Sequence, residues 1–168
     1  NNDINNSGKW GVIDPNGDFI IPPIYDSISE FNNGFAIISL YDSTAAIDSN
    51  NILKKKWGII SISGRIIVNP QYEYISFVRK NLYFARTNNH WGILDEYGKV
   101  LVPFLYDYVF YESGKIIANI GGGVMENTVL GKHVYGGRWG YVDLNEPISY
   151  EDMIEADNLI LFLQNTPQ

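Results

Sequence analysis

The sequence predicts an all-β fold made of four tandem antiparallel β-meander repeats, stacked into one curved or barrel-like array in which the fourth repeat is degenerate. Hydrophobic residues make up 45% of the chain, and its 12 Tyr and 8 Phe favour strands over helices. Glycine, proline and tyrosine-acid pairs recur at fixed spacings from each tryptophan. Every tryptophan is itself followed by glycine, and the four are Trp10, Trp57, Trp91 and Trp139.

Three columns of residues define the repeat. Counted from each of the first three Trp, a Gly stands seven residues on, a Pro twelve or thirteen residues on, and a Tyr followed by an acid fifteen residues on. Independent columns at fixed offsets indicate an internal repeat. The positions are Gly17, Gly64, Gly98, Pro22, Pro23, Pro70, Pro103, Tyr25, Tyr72, Tyr106, Asp26, Glu73 and Asp107.

Each copy is predicted to form four short strands. The first begins at Trp and ends in a turn, residues 14–17 in the first copy, where Asp caps backbone amides and Gly accepts a left-handed conformation. The second is expected to end at the prolines, which cannot donate to a ladder. A third starts after the Tyr-acid pair. The predicted second and fourth strands are Phe19 to Ile21, Ile66 to Val68, Val100 to Val102, Phe35 to Leu40, Leu82 to Arg86 and Ile116 to Ile120.

A lone meander of this size is marginal in water, so the repeats are expected to stack and bury their aromatic residues. All four Trp are therefore predicted to be buried, and the Gly after each Trp to allow close packing. Trp57→Ala or Trp91→Ala is expected to cost about 3–5 kcal/mol. The predicted organisation is a tail at 1–8, one domain at 9–164 with repeats at about 9–55, 56–89, 90–137 and 138–164, and a tail at 165–168.

The fourth copy departs from the pattern. Glu146 stands where Gly is expected, and Tyr150-Glu151 comes four residues early. A four-residue deletion in the first hairpin restores the alignment and predicts a strand at 159–163. The alternative is a terminal helix over 149–163, because Ser149 followed by Asp152 has the spacing of a capping box.

Residues 9–25 carry a family resemblance. The pattern Lys-Trp-Gly-x-Ile-Asp-x-x-Gly-x-x-Ile-x-Pro-x-Tyr-Asp resembles the bacterial WG (KWG) β-repeat family, over about residues 9–163. The resemblance implies tandem β-hairpin repeats in a bacterial protein. It implies no general catalytic activity, cofactor or ligand.

The repeated acids suggest a metal site or acid-base catalysis, but turn capping accounts for them better. Residues 14–18 faintly resemble a calcium loop and lack the remaining spaced ligands and the terminal Glu. Equivalent acids also lie a whole repeat apart. No metal and no cofactor are therefore expected. The two sets of acids are Asp14, Asp95 and Asp143, and Asp26, Glu73 and Asp107.

No catalytic constellation is evident, so the chain is predicted not to be an enzyme. His90 takes the position before Trp that Lys or Arg holds in other copies, which predicts an exposed strand residue. His133 is expected in a loop without a partner acid or nucleophile. There is no Gly-x-Ser-x-Gly elbow, and the run Gly121–Gly123 has the wrong spacing to Gly131-Lys132 for a phosphate loop.

Two insertions interrupt the repeat, at roughly Asp42 to Lys55 and Gly121 to Gly137. Insertions in repeat arrays map to loops on one face, often the binding face. The second is predicted to be an extended hairpin, with or without a partner. Its candidate binding residues are Met125, Glu126, Asn127, His133 and Tyr135.

Charge and composition narrow the partner. The net charge of −7 argues against a nucleic acid, and no run of apolar residues is long enough to span a membrane. The absence of cysteine suits the cytoplasm or an exported bacterial protein and does not choose between them. The prediction is a non-enzymatic protein-interaction module, in a narrower version an acidic inhibitor or immunity-type protein of bacteria. The alternative is a carbohydrate or cell-wall binder that uses exposed aromatic rings.

Overall fold

The computed structural model describes residues 8–42, 54–127, 131–144 and 154–155, in which the regular structure is β-strand. These ranges contain no helix, and so none long and apolar enough to cross a membrane. The first copy of the repeat forms β1 (Trp10–Ile13), β2 (Phe19–Tyr25), β3 (Ser27–Ile28) and β4 (Phe35–Tyr41). The second forms β5 (Lys55–Ser61), β6 (Ile66–Tyr72), β7 (Tyr74–Arg79) and β8 (Leu82–Thr87). The third forms β9 (His90–Leu94), β10 (Val100–Tyr106), β11 (Tyr108–Glu112) and β12 (Lys115–Asn127), and β13 (Gly131–Val142) and β14 (Ile154–Glu155) follow. The all-β prediction is confirmed.

The sheets are offset from the repeats. Within the described ranges the strands form open sheets in the orders β1-β2, β3-β4-β5-β6, β7-β8-β9-β10 and β11-β12-β13-β14. Each four-stranded sheet joins the last two strands of one repeat to the first two of the next. The prediction of one meander per repeat is corrected here: each repeat is divided between two sheets, because the chain leaves one sheet at the Tyr-acid pair.

The second strand of each repeat does not end at the prolines, as predicted, but continues to the Tyr. In the first copy β2 runs through Pro22 and Pro23, and Tyr25 pairs with Trp10. A register shift between Trp10 and Val12 accompanies the prolines. Proline is tolerated inside a strand at such an irregularity, because no ladder bond is required of its nitrogen there.

The Gly after each Trp occupies the same irregularity. A Cβ on Gly58 would lie 2.8 Å from the nitrogen of Pro70, and one on Gly11 would lie 2.8 Å from that of Pro23. The prediction that this Gly permits close packing is confirmed, and the neighbour it admits is the second strand of its own hairpin.

The predicted turns are present. In the first, the amide of Gly17 donates to the carbonyl of Asp14 at 3.0 Å, and Gly17 has φ of 92°. Ser61 with Gly64 and Asp95 with Gly98 form the same bond.

Contacts divide the chain into two compact units, Asn1–Ala85 with Leu94–Lys99, and Arg86–Ile93 with Val100–Gln168. The first unit has a core cluster from β2, β4 and β5, composed of Ile21, Tyr25, Ala36, Ile38 and Ile60. The second unit buries residues of β10 to β13, among them Val102, Tyr106, Val109, Ile117 and Trp139. Residues 1–7 and 165–168, where tails are predicted, lie outside the described ranges.

The segment expected to form a fourth copy has one pairing of the first two copies, without the predicted deletion. Trp139 pairs with Ile154, as Trp10 pairs with Tyr25 and Trp57 with Tyr72. Ile154 therefore takes the place of the repeat Tyr, and the alignment that gave this place to Tyr150 is wrong. The strand at residues 154–155 also contradicts the alternative of a helix over 149–163. The strand predicted at 159–163 lies outside the described residues.

Candidate functional site

The first hairpin, β1 and β2, exposes apolar residues that the other copies bury. Ile13, the last residue of β1, is 57% exposed. The residues at the same repeat position are Ile60, Leu94 and Val142, which are 1%, 0% and 8% exposed. The residue type is aliphatic in all four, so the difference lies in what covers the position.

Trp10 shows the same difference. Its side chain is 61% exposed, whereas Trp57 and Trp91 are half-buried and Trp139 is 4% exposed. The prediction that all four Trp are buried is thus wrong for Trp10. The physical reason is the sheet: among the described residues β1 pairs with β2 alone, whereas β5, β9 and β13 each have a strand on both sides.

Exposure on β2 has a different origin. Phe19 is 63% exposed and Ile24 is 51% exposed. Their equivalents are also open, with Ile66 at 45% and Leu105 at 58%. These positions are exposed in the first three copies, so the surface peculiar to the first copy among the described residues is Trp10 and Ile13. We call these two residues the β1 surface.

In the later copies the strand beside the Trp has a regular pattern. Ser39 of β4 lies opposite Trp57, and Asn119 of β12 lies opposite Trp139. Both of these polar residues are fully buried, and the three residues before each of them are small or aliphatic. Ser39 shares a 2.6 Å hydrogen bond with the hydroxyl of Ser27 on β3. A small polar residue therefore lies opposite the Trp at these two junctions, whereas in the third copy the guanidinium of Arg86 lies over the Trp91 ring.

Two of the acids that follow the repeat Tyr form hydrogen bonds at the point where the chain passes from one sheet to the next. The Asp26 amide donates to the carbonyl of Ser39 at 2.9 Å, and its Oδ2 accepts a 2.7 Å hydrogen bond from the amide of Tyr41. In the third copy the Asp107 amide donates to the carbonyl of Asn119 at 2.9 Å. The Asp26 carboxylate is thus the acceptor for the Tyr41 amide of β4, at the point where the chain turns from β2 into β3. This long-range role differs from the turn capping that was predicted for these acids.

A cationic or imidazole side chain before the Trp faces the same acid. The ammonium of Lys9 donates to Oδ1 of Asp26 at 2.6 Å. In the third copy Nε2 of His90 lies 3.9 Å from Oδ1 of Asp107, and the His90 side chain is 47% exposed. His90 is therefore exposed as predicted. It occupies the position that Lys9 holds in the first copy, where the Lys side chain pairs with the acid that follows the repeat Tyr.

Asp14 and Asp95 cap turns, as predicted. Oδ1 of Asp14 accepts from the amides of Asn16 and Asp18 at 2.8 and 3.0 Å. The hydrogen bond from the backbone of Asp18 is the largest cause that lowers the pKa of Asp14. Asp95 accepts from the amides of Tyr97 and Lys99 in the same way. In the described part of the chain no three His, Asp or Glu side chains are grouped closely enough to hold a metal ion.

The second insertion is an extended two-stranded hairpin, as predicted, but His133 lies in a strand and not in a loop. β12 and β13 pair antiparallel up to Asn127 and Gly131, and His133 lies in β13 opposite Met125. The structure places the backbone of the predicted binding residues in this hairpin and does not describe their side chains: Met125, Glu126, Asn127, His133 and Tyr135. Residues 43–53 of the first insertion lie outside the described ranges.

The sequence analysis missed the β1 surface. Trp10 and Ile13 are the residue types that the later copies bury, so nothing in the repeat pattern sets them apart. Only the assignment of strands to sheets distinguishes them.

The comparison with known families identifies one. A family model described as WG containing repeat matches residues 10–42, 57–90 and 91–123, which together cover more than half of the chain. The matched segments begin at Trp or next to it and correspond to the first three copies. No curated protein and no solved structure matches the chain.

Proposed function

The chain belongs to the family of proteins with WG-containing repeats, and from this premise we propose that it is a non-enzymatic protein-interaction module. The observation that carries the proposal is the β1 surface, where Trp10 and Ile13 are 61% and 57% exposed, while the equivalents of Ile13 are at most 8% exposed and lie on strands with a neighbour on both sides. Exposed apolar side chains on the edge of a sheet are typical of surfaces that take another chain.

The repeats supply a scaffold for this surface, and we propose that all four copies, the fourth degenerate, stack into one array. Support comes from the turn glycines within the first unit. A Cβ on Gly64 would lie 2.7 Å from the carbonyl oxygen of Ile20, and one on Gly98 would clash with the side chain of Val68. The first-hairpin turn of one copy thus packs against the second strand of the preceding copy.

A narrower version of the proposal is an acidic inhibitor or immunity-type protein of bacteria. The net charge of −7 favours a basic partner, because complementary charge speeds encounter. This version requires the association rate to fall as salt rises toward physiological ionic strength. An association rate that does not respond to salt contradicts it.

The alternative function is a carbohydrate or cell-wall binding repeat domain. Its support is the exposure of two flat aromatic rings, Trp10 at 61% and Tyr97 at 68%. Such rings are able to stack on the apolar face of a sugar. The protein partner ranks first because Ile13, which has no ring, is exposed together with Trp10 on the same short strand.

Capture experiments with matched variants test the proposed function. The immobilised chain is compared with its Ile13→Asp variant and with Ile62→Asp, which changes the same residue type at a side chain 55% exposed but away from β1. A protein partner retained by the wild type and by Ile62→Asp, and lost by Ile13→Asp, supports the proposal.

A glycan array with the same three proteins and with Trp10→Ala separates the two functions. Binding of a glycan class that is lost in Trp10→Ala and unaffected in Ile13→Asp favours the carbohydrate alternative. Replacement of residues 43–53 by a short Gly-Ser linker, in a further variant, tests the first insertion. Retention of the same partners by Ile13→Asp as by the wild type contradicts the proposed use of the β1 surface.

A further inference from the structure

The described sheets show what lies beside a β1-type strand. β5 and β13 are such strands, and each pairs antiparallel with the fourth strand of the preceding copy. β9 takes the same central place in its own sheet, next to β8. At all three junctions the fourth strand of one copy thus lies beside the first strand of the next copy.

The registers of two junctions agree residue by residue. Opposite Trp57 and the three residues after it stand Ser39, Ile38, Ile37 and Ala36. Opposite Trp139 and the three residues after it stand Asn119, Ala118, Ile117 and Ile116. The neighbouring strand therefore presents three small or aliphatic residues and then a small polar residue against the Trp.

β1 has the side chains of this junction, and the described residues place no strand on its outer edge. Its hairpin has the register of the second copy, since Trp10 pairs with Tyr25, Val12 with Ile21, and Ile13 with Phe19. The corresponding pairs of the second copy are Trp57 with Tyr72, Ile59 with Val68, and Ile60 with Ile66. Two hairpins of equal geometry differ in that the described residues provide a strand beside β5 and none on the outer edge of β1.

We propose that the outer edge of β1 accepts an extended strand from a partner protein, which adds antiparallel to the first sheet. This inference rests on the proposed function and states how the partner binds. When a strand adds to a sheet edge, main-chain hydrogen bonds supply affinity and the side chains supply specificity. The bound strand carries the pattern seen at the junctions: three small or aliphatic residues, followed by Ser, Asn or a similar small polar residue opposite Trp10.

The chemistry of β1 fits this occupant. Ile60, the equivalent of Ile13, is 1% exposed in a cluster with Ala36 and Ile38 of β4 and Ile21 and Tyr25 of β2. A strand laid along the edge of β1 supplies the part of that cover that β4 supplies to Ile60. Burial of apolar area then supplies the main driving force, at about 25 cal/mol for each Å² removed from water. The β1-β2 hairpin is stabilised by a separate contact, because the ammonium of Lys9 pairs with Asp26 at 2.6 Å.

A peptide that copies β4 is the probe for this site. It contains Phe-Ala-Ile-Ile-Ser-Leu-Tyr, the sequence of residues 35–41, with lysines added at both ends for solubility. The control peptide has proline in place of the second Ile, which removes a backbone donor and resists addition to a ladder. Binding to the full chain is measured by titration, with tryptophan emission as the readout.

The expected result is saturable binding with a blue shift of emission that disappears in the Trp10→Phe variant. Ile13→Asp is expected to weaken binding by at least about tenfold, which corresponds to about 1.4 kcal/mol. Ile62→Asp, a matched substitution at a side chain 55% exposed, is expected to bind like the wild type. Circular dichroism of each variant verifies that it is folded before the titration is interpreted.

Three results overturn the inference: no saturable binding, equal binding of the proline peptide, or a blue shift that survives Trp10→Phe. Sedimentation of the chain alone gives a fourth, since self-association abolished by Ile13→Asp assigns the edge to a second copy. A protein partner lost by Ile13→Asp while the peptide fails to bind leaves the proposed function standing and removes only strand addition.

Discussion

Asp26 accepts the backbone amide of Tyr41 at 2.7 Å, and Asp107 accepts that of Gly121 at 2.6 Å. Both acids follow the repeat Tyr, and both amides belong to the fourth strand of the same copy. The carboxylate thus accepts a backbone amide of β4 or β12 at the point where the chain passes from the second strand of the copy into the next sheet. In these two copies one acid serves the single passage of the chain from one sheet to the next.

Loss of this carboxylate is expected to destabilise the fold. Asp26→Ala leaves the Tyr41 amide without its acceptor, and the Asp26 side chain is only 3% exposed, so water replaces it poorly. A buried donor left without a partner costs about 1–3 kcal/mol. Chemical denaturation measures the loss. Asp26→Asn keeps an acceptor oxygen and should lose less, and equal losses in the two variants would show that charge, not the acceptor, matters.

The Gly after Trp is expected to resist even a methyl group. In Gly58→Ala the new Cβ lies 2.8 Å from the nitrogen of Pro70. The atoms that it meets belong to the backbone of β6, which cannot move aside as a flexible side chain can. Overpacking of this kind costs about 1–3 kcal/mol. Gly8→Ala is the control, because its Cβ meets nothing within 4 Å. Thermal unfolding compares the two, and similar midpoints would contradict the close approach between strands.

Tryptophan truncations should divide according to exposure. Trp139→Ala removes a side chain that is 4% exposed and packs edge-on to Phe110, with ring centroids 6.0 Å apart. Its expected cost is about 3–5 kcal/mol. Trp10 is 61% exposed, so Trp10→Ala should change stability by no more than about 0.5 kcal/mol. Denaturant midpoints report both values, and a large loss in Trp10→Ala would mean that the β1 surface is covered.

Local chemistry made much of the fold predictable from sequence. The turns at residues 14–17, 61–64 and 95–98 depend on an Asp or Ser side chain and a Gly within four residues, and all three form. The strand after each turn was predicted too short, because proline was treated as a terminator. In the structure the irregularity beside Gly11 and Gly58 lets the strand pass through proline.

The division into sheets was beyond sequence reasoning, and with it the candidate site. A hairpin such as 10–25 has the same residues whether or not another strand lies beside it. Ile13 and Ile60 are the same residue at the same position, yet one is 57% and the other 1% exposed. Exposure at β1 is a property of the sheet order, in which β1 pairs among the described residues with β2 alone, whereas β5 has a strand on each side.

The buried tyrosines predict loss of stability at alkaline pH. Burial raises the pKa of Tyr25 and Tyr106, which are 3% and 2% exposed. Below about pH 10 both are protonated whether the chain is folded or unfolded, so their contribution is fully present. Above about pH 10 the unfolded chain ionises first, and stability falls as pH rises toward the folded pKa, by up to about 1.4 kcal/mol per pH unit for each Tyr. Denaturation between pH 8 and 11 should show a shallower fall for Tyr106→Phe than for the wild type. Tyr97→Phe, at a side chain 68% exposed, is the matched control, and an equal change in its slope would contradict burial of Tyr106 as the cause.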